Sequence, residues 1–142
     1  MSPAPAQVWR LADLASAGTA HVDFTVTAQD MARFAELSGD YNPLHTDEAF
    51  ARGKGFKGVV VYGGLLTAKV SQLIGMQLPG RDSVWAGLDL AFRKPLYVGQ
   101  AARVEASVTE VSESTGMVML AVTVRADGKT LAKGTAEVVL VG

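Results

Sequence analysis

Apolar and polar positions alternate with period two through most of the second half of the chain. Residues 84–92 place Val84, Ala86, Leu88, Leu90 and Phe92 on one face, against Trp85, Gly87, Asp89 and Ala91. Residues 102–108 repeat the pattern, with Ala102, Val104, Ala106 and Val108 opposite Arg103, Glu105 and Ser107. Val118, Leu120, Val122 and Val124 continue it, and residues 130–141 supply a last run. Asp127-Gly128 lies between the last two runs and predicts a tight hairpin. Long period-two runs joined by short turns predict an antiparallel sheet.

The first half reads differently. Residues 1–18 carry Pro3, Pro5 and several alanines and are expected to form an irregular lead-in. Residues 20–26 end in Phe24-Thr25-Val26 and suit a strand, with His21 at the surface near its start. Thr27, with Asp30 three positions on, predicts a helix N-cap. Met31, Phe34, Ala35 and Ser38 then share one helical face, and Gly39 is the stop signal. A short helix over 47–52, capped by Thr46 or Asp47, follows. Residues 65–78 have helical spacing at Leu66, Val70, Leu73, Ile74 and Gln77. Leu65, Ala68 and Met76 put apolar groups on other faces, so this helix is expected to be buried nearly all round. Pro79-Gly80 ends it. One such helix and a long antiparallel sheet predict an α+β fold in which the sheet curls around the helix.

The 142 residues suit one domain spanning 1–142. Net charge is −1 and no basic block occurs, which argues against nucleic acid or an anionic membrane as partner. No run approaches the roughly 20 apolar residues that span a bilayer, and no targeting segment is visible, so a cytoplasmic protein is expected. Cysteine is absent, which removes disulfides and thiolate chemistry. With two histidines, His21 and His45, a multi-histidine metal centre is excluded, and no metal is expected.

The chemistry concentrates in residues 34–51. Gly39, Asp40, Asn42, Pro43 and His45 fall within seven residues. Pro43 fixes its own φ and pushes Asn42 away from the helical region, so the connection is stiff. Two readings stand on these residues alone. They form a structural turn, since Gly, Asp, Asn and Pro are the commonest turn residues. Alternatively, Asp40 and His45 are an acid–base pair held for proton transfer at neutral pH.

The run Ser38-Gly39-Asp40-x-Asn42-Pro43-Leu44-His45, with Ala51 six residues after the histidine, resembles the motif of the MaoC-like hydratases. These are R-specific enoyl-CoA hydratases of the hydratase-2 type. The similarity extends through Gly63 and the helix behind it, Gln77-Leu78-Pro79-Gly80, Phe92-x-x-Pro95 and Tyr97-Val98-Gly99. The resemblance implies a hotdog fold, in which a curved antiparallel sheet wraps a long central helix, and a homodimer with sheets joined edge to edge. It implies hydration of a trans-2-enoyl thioester to the R-3-hydroxyacyl thioester, or the reverse, with no cofactor beyond the coenzyme A of the substrate. By resemblance Asp40 and His45 are catalytic, Asn42 supports them, and the backbone N–H of Gly63 binds the thioester oxygen.

The chain departs from many relatives at two places. They have histidine where this chain has Tyr62, and a bulkier residue such as methionine at Gly64. Both positions are candidates for shaping the pocket. Three other readings compete: a dehydratase acting on acyl carrier protein thioesters, a hotdog thioesterase, and a non-catalytic acyl-binding subunit.

Overall fold

The computed structural model describes residues 3–142. Strands β1 (Thr19–Thr25), β2 (Ser83–Phe92), β3 (Ala101–Ser112), β4 (Met117–Ala126) and β5 (Lys129–Leu140) form one sheet. Its order is β1-β3-β4-β5-β2, with every pairing antiparallel. Helices α1 (Leu11–Leu14), α2 (Ala28–Ser38), α3 (Pro43–Thr46), α4 (Glu48–Gly53) and α5 (Gly63–Met76) complete the chain. α5 packs on the sheet, touching β1, β2 and β3. This is the hotdog arrangement. Among the described residues no helix is long and apolar enough to cross a membrane.

The central strand β4 keeps the period-two pattern: Val118, Leu120, Val122, Val124 and Ala126 are buried. They meet Val104 and Ala106 of β3, Ala136 and Val138 of β5, and Leu66, Val70, Leu73 and Ile74 of α5 in one core. The β4–β5 hairpin turns at Asp127-Gly128, both with positive φ (51° and 72°), as a two-residue primed turn requires.

Four expectations are corrected. The lead-in is not irregular throughout. Leu11–Leu14 forms a helical turn whose Leu14 is fully buried. Gln7 and Trp9 also strap it down: Gln7 N–H donates to the Met76 carbonyl, Arg81 N–H donates to the Gln7 carbonyl, and the Trp9 indole donates to Gln77 O at 2.8 Å. Residues 1 and 2 of the expected lead-in lie outside the described residues.

The central helix begins two residues early, at Gly63, and ends at Met76. It is also not buried all round, because Ala68, Ser71 and Gln72 face outward. The phase of β2 changes along its length. A bulge between Trp85 and Gly87 turns Trp85 inward and leaves Val84 and Ala86 exposed, while Leu88 and Leu90 face the core as expected. A second bulge, between Val108 and Glu110, lets β3 run on to Ser112.

Gly134 of β5 pairs with Leu90 where the two backbones nearly touch, and a side chain there would meet the main-chain carbonyl of Asp89. Only glycine permits this approach.

Candidate active site

Local chemistry places the Asp40 loop. Thr27 and Asp30 close a reciprocal capping box on α2: Asp30 N–H donates to Thr27 Oγ1 at 3.1 Å, and Thr27 N–H donates to the Asp30 carboxylate at 2.9 Å. Gly39 ends α2 in the left-handed conformation (φ 76°), and Asp40 follows directly.

From there each residue caps the next. The Asp40 carboxylate accepts from Asn42 N–H at 3.0 Å, and the Asn42 side-chain oxygen accepts from Leu44 N–H at 2.9 Å. Asn42 is therefore the N-cap of α3, with Pro43 behind it at the first helical position. His45 lies inside this one-turn helix, where a loop was expected. Asp47 caps α4 through Phe50 N–H.

His45 Nδ1 lies 2.6 Å from the Val60 carbonyl oxygen. A carbonyl only accepts, so Nδ1 carries the proton, and neutral His45 presents a lone pair at Nε2. No ion pair joins Asp40 to His45 among the described residues. Each is held by the backbone instead.

Tyr62 lies beneath both. Its hydroxyl donates to the Asp40 main-chain carbonyl at 2.7 Å, and its ring stacks on His45 with centroids 4.1 Å apart and planes at 25°. Phe34 of α2 flanks it at 4.7 Å. Only 2 % of Tyr62 is exposed. Burial, then the charge of Asp40, then Tyr41, push its phenol above the usual range, so it stays a protonated donor.

His45 borders two cavities. One, of about 410 Å³, lies against α2 and is mainly apolar, with Met31, Ala32, Ala35, Val59 and Val98 in its walls. The other, of about 380 Å³, contains Gly63, Leu66, Phe92, Arg93 and Lys94. Gly63 is the first residue of α5, so its N–H has no acceptor within the helix, and the helix dipole adds positive potential there. The Phe92 ring occupies the space where a Gly63 side chain would go, 3.3 Å from an added Cβ.

His45 and Gly63 are thus brought together on one cavity. Asp40 is tied to them through Tyr62, by its main-chain carbonyl, and its carboxylate lines neither cavity. Gly64 stands apart. A Cβ on it would lie 2.6 Å from Cζ of Phe34, so its missing side chain makes room for α2. Sequence reading missed Arg93, Lys94 and the Val60 carbonyl. The adjacent basic pair inside Phe92-x-x-Pro95 was a visible signal for the first two. Nothing in the residue type of Val60 marked the third.

A family profile described as MaoC like domain matches residues 15–130. The chain belongs to the MaoC-like family. It is 40% identical over 105 residues to the (R)-specific enoyl-CoA hydratase of Aeromonas caviae, a match covering 74% of this chain and 78% of that one. The solved (R)-hydratase structure from A. caviae superposes with a TM-score of 0.83 at 36% identity, covering 87% of this chain and 96% of the other. A shorter match, 37% identical over 73 residues, joins it to a mitochondrial 3-hydroxyacyl-[acyl-carrier-protein] dehydratase of Arabidopsis thaliana. That alignment covers 51% of this MaoC-like chain and 43% of the plant protein.

Proposed function

We propose that this protein is a hydro-lyase that adds water to trans-2-enoyl-CoA to give (R)-3-hydroxyacyl-CoA, or runs the reverse dehydration. The observation that carries the reading is the shared cavity of His45 and Gly63, which sets an imidazole base beside a free backbone donor. The A. caviae relative, whose name carries the same reaction, adds support.

In this reading the Asp40 carboxylate and His45 Nε2 grip one water. Its oxygen bonds to Cβ as its proton passes to the pair, and the C=C electron pair moves toward the thioester. Negative charge grows on the thioester oxygen, where Gly63 N–H and the α5 dipole stabilise it. The pair then returns a proton to Cα, which completes the addition. Only water and protons move, so the reaction needs no redox cofactor. Asn42 acts by holding the α3 turn that carries His45.

The carrier is coenzyme A, and Arg93 and Lys94 suit its phosphates. The plant relative keeps an acyl carrier protein as the second reading. The enzyme is proposed to be a cytoplasmic homodimer joined along β2. That strand is a sheet edge with Val84 and Phe92 each 52 % exposed, whereas the opposite edge, β1, carries the Asp23–Arg103 ion pair.

Incubation with crotonyl-CoA and, separately, butyryl-CoA tests the proposal. Loss of enoyl absorbance without free thiol is expected. Thiol release from butyryl-CoA would instead mark a thioesterase.

A further inference from the structure

Three groups must hold a fixed relation for the proposed chemistry: the Asp40 carboxylate, the His45 imidazole and the Gly63 N–H. They belong to three segments: the loop after α2, the one-turn helix α3, and the start of α5. One residue touches all three. Tyr62 is the N-cap of α5, and its carbonyl accepts from Leu65 N–H and Leu66 N–H. Its hydroxyl holds the Asp40 carbonyl, and its ring lies under His45.

The Nδ1 contact to Val60 anchors His45 at one edge of its ring. The face of Tyr62 supports the plane of the ring as well. Phe34 backs Tyr62 from α2 with its ring tilted by 42°, so the Tyr62 ring is held between residues of α2 and α3. The Tyr62 hydroxyl is spent on Asp40 and the side chain is buried, so it has no means of reaching substrate.

We propose that Tyr62 is a positioning residue. It aims His45 through its ring and Asp40 through its hydroxyl, and it references both to the Gly63 N–H. The proposal rests on the assignment of Asp40 and His45 above.

NMR and kinetics test it together. The chain has two histidines, so the His45 Hε1 resonance is assigned by comparison with His45→Ala. Stacking on an aromatic face shifts it upfield of His21 in the unsubstituted protein. Tyr62→Leu should move the resonance downfield and lower kcat about 10²-fold while KM changes little. Tyr62→Phe keeps the ring, so it should retain the upfield shift and lose less rate. An unshifted His45 resonance in the unsubstituted protein overturns the proposal without any variant. So does a Tyr62→Leu protein that melts lower but keeps its kcat. If Tyr62→Leu does not fold, the unsubstituted protein and Tyr62→Phe still decide. Should Asp40→Asn and His45→Ala both stay active, the reaction assignment fails, while the resonance still reports the stack.

Discussion

His45 Nδ1 and the Val60 carbonyl oxygen lie 2.6 Å apart, and this contact decides which imidazole nitrogen carries the proton. It also ties α3 to the segment leading into α5. Val60 N–H donates back to the Leu44 carbonyl at 3.0 Å, so the two segments are laced from both sides. The expected outcome is that neutral His45 is the Nδ1–H tautomer. Nitrogen-15 shifts above the imidazole pKa read this directly, with Nε2 showing the unprotonated signal. An Nε2–H tautomer would remove the proposed base.

Gly64 is expected to matter for packing, not for acyl range. A methionine there must displace the Phe34 ring, and overpacking of this kind costs about 1–3 kcal/mol. Because Phe34 backs Tyr62, Gly64→Met should lower the melting temperature and slow short and long enoyl-CoA substrates alike. Selective loss of long substrates would place Gly64 on the acyl path instead.

The capping box of α2 gives a pH-dependent prediction. Hydrogen bonds from the Thr27 backbone, then from its side chain, hold the Asp30 carboxyl below its ordinary value. A depressed folded-state pKa contributes stability above the unfolded value and loses it as pH falls through the folded one. Thr27→Ala also removes the N-cap of α2 and should cost about 1 kcal/mol at neutral pH. The gap between Asp30→Ala and the unsubstituted protein should begin to close as pH falls below about 4. Melts at pH 7 and pH 3 measure both.

The β2 edge is expected to pair with its counterpart in a second copy, giving a two-fold dimer. Val84→Glu puts a charge on that exposed edge and should shift sedimentation toward monomer at micromolar concentration. An unsubstituted protein that is monomeric and fully active would contradict this arrangement.

What was legible in the sequence is what short-range chemistry decides. Thr27 with Asp30, Gly39, and Asp127-Gly128 act within four residues, and each forms as its residue types predict. The period-two pattern located β2 to β5, and Phe24-Thr25-Val26 marked β1. The inward face of β2 near Val84 was not legible, because a bulge between Trp85 and Gly87 depends on pairing with β5. The strap from Gln7 and Trp9 to the end of α5 joins positions about 70 residues apart, and no local pattern encodes it. At the site, the motif marked Asp40, Asn42 and His45, but the side chain of Tyr62 found its partners only through the fold. Gly64 looked like pocket space because its neighbour Phe34 is 30 positions earlier in the chain.

The most direct test of the central claim is the rate of crotonyl-CoA hydration by Asp40→Asn and by His45→Ala. Chiral analysis of the product and a circular dichroism melt of each variant should accompany it. The account predicts an R product from the unsubstituted protein. Each folded variant should lose about 10²–10⁴-fold in kcat/KM, the usual contribution of a general acid or base. Near-normal hydration by either folded variant, or an S product, would contradict it.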